Sequence, residues 1–115
     1  MLNDVTKVFK ALSDSSRIRI IEMITDKAMC VCEITSILGL ATSTVSKHLS
    51  ILRDAGIIED EKDGKWVNYR LKSPAANEYV QHLLFLMKNW VRDIEIVEQD
   101  RTTSGSVDRN QLCQG

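Results

Sequence analysis

Apolar residues recur at helical spacing up to Gly56, then at strand-like spacing as far as Leu71, and then at helical spacing again. Leu2, Val5, Val8, Phe9 and Leu12 predict a short amphipathic helix ending near Ser13. Asp14, Ser15 and Ser16 offer caps for a second helix, whose apolar side is Ile18, Ile21, Met23 and Ile24. A third helix starts around Cys30–Cys32, carries Ile34, Ile37 and Leu38, and is closed by Gly39. In the fourth, Thr42 to Ala55, Thr42 is the expected cap and Gly56 the expected stop. Val45, Leu49 and Leu52 form its buried stripe, which leaves Ser43, Ser46, Lys47 and Arg53 outward.

Beyond Gly56, Ile57–Glu59 and Trp66–Leu71 predict two strands, with Lys62-Asp63-Gly64-Lys65 as the hairpin turn. Ser73-Pro74 is expected to open one long last helix, proline occupying the first turn where its missing N–H costs nothing. Its apolar stripe is Tyr79, Leu83, Leu86, Met87, Trp90, Ile94 and Val97, widened by Val80, Leu84 and Val91. From Arg101 the composition turns to Thr, Ser, Gly, Asp and Gln. The expected division is therefore one domain over 1–100 and a disordered tail over 101–115. Five helices and a charged hairpin give a mainly α class, in the order of a winged helix-turn-helix.

Composition changes this picture little. At 115 residues, 43% hydrophobic and 27% charged, the chain suits a single globular core that a symmetric partner would help to complete. No stretch predicts a membrane span or a signal peptide, so the expected location is the cytoplasm, where thiols stay reduced. Three cysteines argue against a disulfide framework. A net charge of −1 does not advertise nucleic-acid binding, so any DNA-binding charge must be local.

The fourth helix supplies such a site. The second helix of a helix-turn-helix presents its N-terminal half to base edges, where Ser, Thr and Lys hydrogen-bond to bases and phosphates. Thr42, Ser43, Thr44, Ser46 and Lys47 fit that role, although Thr42 alone is as readily explained as a cap. His48, beside Leu49, is included among the DNA residues, but a satisfied structural histidine is the stronger reading. Arg53 lies further along the same helix, and Lys62, Lys65 and Arg70 can approach phosphates from the hairpin. Glu59, Asp60, Glu61 and Asp63 oppose them, so the hairpin should add little net attraction.

Cys30 and Cys32 need a chemical reason, because the one other cysteine is Cys113. Buried free cysteines often serve as small apolar groups, but two of them flanking one residue at a helix start point to ligation. Soft thiolates select arsenite, antimonite, cadmium, lead or zinc over hard ions such as calcium or magnesium. Residues i and i+2 diverge by about 200° around a helix and share a face in extended backbone. Ion capture by both sulfurs therefore competes with an intact third helix.

Four blocks together resemble the ArsR/SmtB family of prokaryotic metal-responsive repressors over roughly residues 3–98. They are Ala11–Arg17, Cys30–Ile34, Thr44–Ile58 and Gly64–Leu71. The resemblance implies a homodimer through the first and last helices, with Leu2, Val5, Phe9, Leu83, Met87, Trp90 and Ile94 at the interface. A two-fold dimer implies a palindromic double-stranded operator, its half-sites about 34 Å apart. It also implies a repressor released by trivalent arsenic or antimony at Cys30 and Cys32, with no organic cofactor and no membrane partner.

The arsenic-sensing pattern has a further cysteine three positions after the pair, and Thr35 stands there. The pair alone serves in some members, and Cys113 or a small-molecule thiol can supply a third sulfur. Cadmium, lead or zinc sensing is the alternative, weakened because no cysteine precedes Cys30. The zinc, cobalt and nickel pattern on the last helix needs paired histidines, where this sequence has His82 alone. A thiol redox switch and a protein-interaction module are the readings from other classes. No nucleophile, base and orienting group converge, and there is no phosphate-binding glycine-rich loop, which disfavours an enzyme.

Overall fold

The computed structural model describes residues 2–74 and 77–107. Its elements are α1 (Leu2–Leu12), α2 (Ser15–Ile24), β1 (Met29–Cys30), α3 (Val31–Leu38), α4 (Thr42–Asp54), β2 (Ile58–Asp63), β3 (Trp66–Leu71), α5 (Glu78–Val91) and α6 (Glu95–Ser104). The order helix-turn-helix and then hairpin is the one the sequence pattern predicts.

Asp14 begins α2, its carboxylate accepting the Arg17 N–H at 3.1 Å. Gly39, at φ 69°, takes the left-handed conformation that ends α3, and Gly56, at φ 77°, sends the chain from α4 into the hairpin. Val45, Leu49 and Leu52 are fully buried as the α4 stripe, against Ile20, Ile21, Ile34, Ile57 and other core residues. Each such side chain contributes about 1.5–3 kcal/mol on burial, more than a surface ion pair supplies. Core packing therefore decides which face of α4 is left to solvent.

Several expectations are corrected. Ala41, not Thr42, is the N-cap of α4; its extended backbone ends in a carbonyl that accepts the Val45 N–H at 3.1 Å. The helix thus starts one residue earlier in its capping register, and Thr42 becomes an exposed first-turn residue. Residues 58–63 are all strand, so the turn narrows to Gly64-Lys65, with Asp63 opposite Trp66. A third strand, β1, joins the hairpin in the order β1-β3-β2, pairing Met29 with Tyr69 and Cys30 with Asn68. Two residues are too short to leave a periodic signal, and their partners lie far along the chain.

The expected single last helix is two. Pro74 does not open it, because α5 begins at Glu78 after Asn77 in extended conformation. The chain then breaks at Ile94, whose backbone is extended at φ −71°, ψ 127°. The break turns α6 back onto α2 and α3. Val97 is buried there, and Asp100 accepts both Arg19 Nε at 2.8 Å and Arg19 Nη2 at 3.0 Å. Ser104 is also buried. The disordered tail expected from Arg101 is therefore corrected for residues 101–104, which are helix. Residues 108–115, including Cys113, lie outside the described residues.

Candidate sensor and nucleic-acid interface

Thr42, Ser43, Thr44, Ser46 and Lys47 are all exposed on the first two turns of α4, clear of the buried stripe. Ser43, Thr44, Lys47 and His48 line one cleft together with Arg17 and Ile51. Arg17 was not among the expected site residues, yet its guanidinium organises this end of the molecule. Its Nε donates to the Ala11 carbonyl at 2.7 Å and its Nη2 to the Lys10 carbonyl at 3.3 Å, which also accepts the Ser13 N–H at 3.2 Å, so Arg17 caps the end of α1. Its Nη1 lies 3.0 Å from His48 Nδ1. Arginine always donates, so Nδ1 accepts and the ring proton sits on Nε2. His48 is thus a half-buried tie between α4 and α2.

The arginines beside and on the hairpin are neutralised within the chain, while Lys62 and Lys65 have no ion-pair partner among the described residues. Arg70 Nε pairs with Glu59 at 3.1 Å and its Nη1 with Glu61 at 2.7 Å. Arg53 reaches Asp60 at 3.3 Å, and the Lys65 ammonium sits 4.8 Å from the Trp66 ring centroid. Lys62 is exposed beside Glu61 and Asp63.

Cys30 is the N-cap of α3 with extended backbone, φ −88° and ψ 167°, and Cys32 lies in the first helical turn. The Cys30 sulfur faces the Glu33 N–H, while the Glu33 carboxylate accepts the Cys30 N–H at 3.0 Å, a reciprocal cap. Glu33 is itself buried and lies 3.7 Å from Lys27 Nζ, which also donates to the Ser104 carbonyl at 3.1 Å. Burial pushes the Cys30 thiol above its ordinary range, and the Glu33 carboxylate adds to this against the opposing N–H groups of Glu33 and Cys32. Cys30 is a free thiol and Cys32 is disulfide-bonded. The Thr35 hydroxyl, one turn beyond Cys32, is buried with no hydrogen-bond partner among the described residues. Among those residues no three Cys, His, Asp or Glu side chains converge.

The expected interface residues divide. Leu2, Phe9, Trp90 and Ile94 are exposed, Trp90 by 71%. Val5 is half-buried, and Leu83 is partly buried against the core. Met87 is corrected: at 6% exposure it belongs to the core of the single chain. Phe85 and Leu86 take its place on the open apolar face, at 68% and 44% exposure. Helical phase explains the exchange, since Val80 and Met87, seven residues apart, share the inward face, whereas Leu86 and Phe85 lie about 100° and 200° round from Met87. No helix among the described residues is long and apolar enough to cross a membrane.

Residues 14–60 match the family model described as bacterial regulatory protein, arsR family. The chain is 39% identical over 79 residues to the cadmium resistance transcriptional regulatory protein CadC homolog of Staphylococcus aureus, covering 68% of this chain and 65% of that protein. It thus spans less than two thirds of that relative's length. To the arsenic resistance transcriptional regulator ArsR2 of Pseudomonas putida it is 36% identical over 90 residues, covering 75% of this chain and 78% of the other. Among solved structures, it is similar to the homodimeric winged helix-turn-helix DNA-binding domain of Mb0332 from Mycobacterium bovis. That likeness has a TM-score of 0.67 at 27% identity and covers 81% of this chain and 82% of that domain. With the helix-turn-helix, the hairpin and the family match in register, the chain belongs to the arsR family of bacterial regulatory proteins.

Proposed function

We propose that this chain is a cytoplasmic, homodimeric repressor that binds a palindromic double-stranded operator and is released by trivalent arsenic or antimony at Cys30 and Cys32. The observation that carries the reading is the place of Cys30, which is at once the cap of α3 and a ladder partner of Asn68 in β3. Helix α3 packs on α4, and β3 is both a hairpin strand and the central strand of the three-stranded sheet. A ligand that pulls Cys30 out of its cap therefore strains the supports of both the reading helix and the wing. Because Cys30 is already extended, capture competes with the Glu33 cap and the first turn rather than with the whole helix. Arsenous acid condenses with a thiol, the thiol proton leaving with an arsenic-bound hydroxyl as water, so forming the As–S bond at Cys30 and opening the cap occur together. A coupling of about 1–3 kcal/mol is typical of such a switch.

Dimerisation through α1 and α5 is supported by the exposed Leu2, Phe9, Phe85 and Trp90. The homodimeric Mycobacterium bovis domain supports it as well. The arsenic and cadmium regulators among the relatives support a soft ion as inducer. A thiol redox switch is the second reading, favoured by the disulfide at Cys32. Cadmium, lead and zinc remain the alternative ions.

The test is a titration of arsenite, antimonite, cadmium, lead and zinc against the complex of the protein with DNA from its own promoter, reduced by a phosphine that does not compete as a dithiol. Release by arsenite or antimonite at the lowest concentrations is expected. Release by peroxide and not by ions would replace this reading with the redox switch.

A further inference from the structure

Helix α1 presents two different exposed stripes. Leu2 and Phe9 form the apolar one, whereas Asn3, Thr6, Lys7 and Lys10 recur at helical spacing on another. The polar stripe lines a cleft with Arg17, Ile51 and Asp54. Arg17 and Ile51 also line the cleft of Ser43, Thr44, Lys47 and His48. The two clefts therefore make one continuous surface from the start of the reading helix to α1.

Its charge contrasts with the rest of the molecule. Lys7, Lys10 and Lys47 have no ion-pair partner among the described residues, while Arg53 and Arg70 are held by Asp60, Glu59 and Glu61. Asp54 is the one acidic residue lining either cleft. Lys62 and Lys65 on the hairpin also lack an ion-pair partner among the described residues, but Glu59, Asp60, Glu61 and Asp63 share that hairpin, so in a chain of net charge −1 the positive charge beside α4 is less opposed toward α1 than along the wing.

We infer that the DNA surface runs from α4 across Arg17 to α1, where Lys7 and Lys10 bind backbone phosphates of the operator segment between the two half-sites. This rests on the dimeric DNA-binding reading above. The neighbouring Leu2 and Phe9 stripe places α1 toward the two-fold axis in that reading, so its lysines fall inside the pair of reading helices. Phosphate contacts fix position and affinity without reading sequence.

The experiment measures operator affinity against salt for the full chain and for the Lys7→Gln/Lys10→Gln double variant, on a duplex located by footprinting. Each lost phosphate contact should flatten the log–log slope by about 0.9, so two lysines on each of two subunits remove up to about 3.6. Discrimination among operator sequences should not change. Asp54→Asn should tighten binding, because it removes the opposing carboxylate. Methylphosphonate substitution confined to the segment between half-sites should erase the difference between wild type and double variant. A folded, dimeric double variant with the wild-type slope overturns the inference, as does a difference that survives neutralisation of that segment. Both results leave the repressor reading standing, whereas a wild type without salt-dependent operator binding sinks the two together.

Discussion

The Glu33 carboxylate accepts the backbone N–H of Cys30 at 3.0 Å while the Cys30 sulfur faces the backbone N–H of Glu33. A helix start thus depends on the residue that carries the proposed ligand sulfur. Lys27 extends the linkage, since its ammonium lies 3.7 Å from Glu33 and donates to the Ser104 carbonyl at the end of α6. The N-terminal end of α3, strand β3 and α6 meet within a few side chains.

Glu33→Gln should make Cys30 more reactive. Burial first and the Glu33 charge second raise the Cys30 thiol, so a neutral side chain lowers it and increases the thiolate fraction near neutrality. In a background with Cys32 and Cys113 changed to Ser, alkylation of Cys30 should accelerate at fixed pH. An unchanged rate would remove Glu33 from control of the thiol. Glu33→Ala, which also loses the cap, should cost about 1–3 kcal/mol in denaturant unfolding. Because the folded-state thiol is raised above the ordinary 9.0, its contribution to stability is present below that pH and is lost as pH rises through the folded value.

The exposed face of α5 separates dimerisation from folding. Trp90→Glu should leave the single chain folded, because Trp90 is 71% exposed, and should weaken the dimer by about 2–4 kcal/mol as loss of an aromatic anchor does. Operator binding should weaken with it. Met87→Glu should instead unfold the chain, since it buries an unpaired charge in the core. Sedimentation and circular dichroism distinguish the two outcomes. A Trp90→Glu protein that sediments as a wild-type dimer would place the interface elsewhere.

Local signals explain what was legible beforehand. Val45, Leu49 and Leu52 announced the buried side of α4, and Asp63-Gly64 announced the hairpin turn, because both depend on neighbours within a few residues. The pairing of Cys30 with Asn68 and the bidentate Arg19–Asp100 bridge join residues far apart in sequence, which periodicity does not record. The break at Ile94 was hidden for another reason: the apolar stripe continues through it, with Ile94 exposed and Val97 buried on a different helix. Met87 was misplaced because a wide stripe does not say which of its edges faces the chain's own core. The Asn3, Lys7 and Lys10 stripe was visible in the sequence, but its relation to Arg17 and α4 needed the fold.

Replacing the cysteines separates ion capture from packing. Cys30→Ser and Cys32→Ser should each retain operator binding and lose release by arsenite, because serine keeps the size and lacks a soft thiolate. At position 30 serine is also the better cap, so its variant should be at least as stable as wild type, with a gain of up to about 1 kcal/mol. A failure of that variant to respond therefore reports lost ligation rather than a damaged helix. Cys113→Ser should have a partial effect or none; complete loss of response would make Cys113 an obligatory third ligand. Structures with and without arsenite supply the second arm, since the bound form should have lost the Cys30–Glu33 cap and the first turn of α3. Normal release from both single variants, or arsenic bound with that cap intact, would move the sensor away from this helix start.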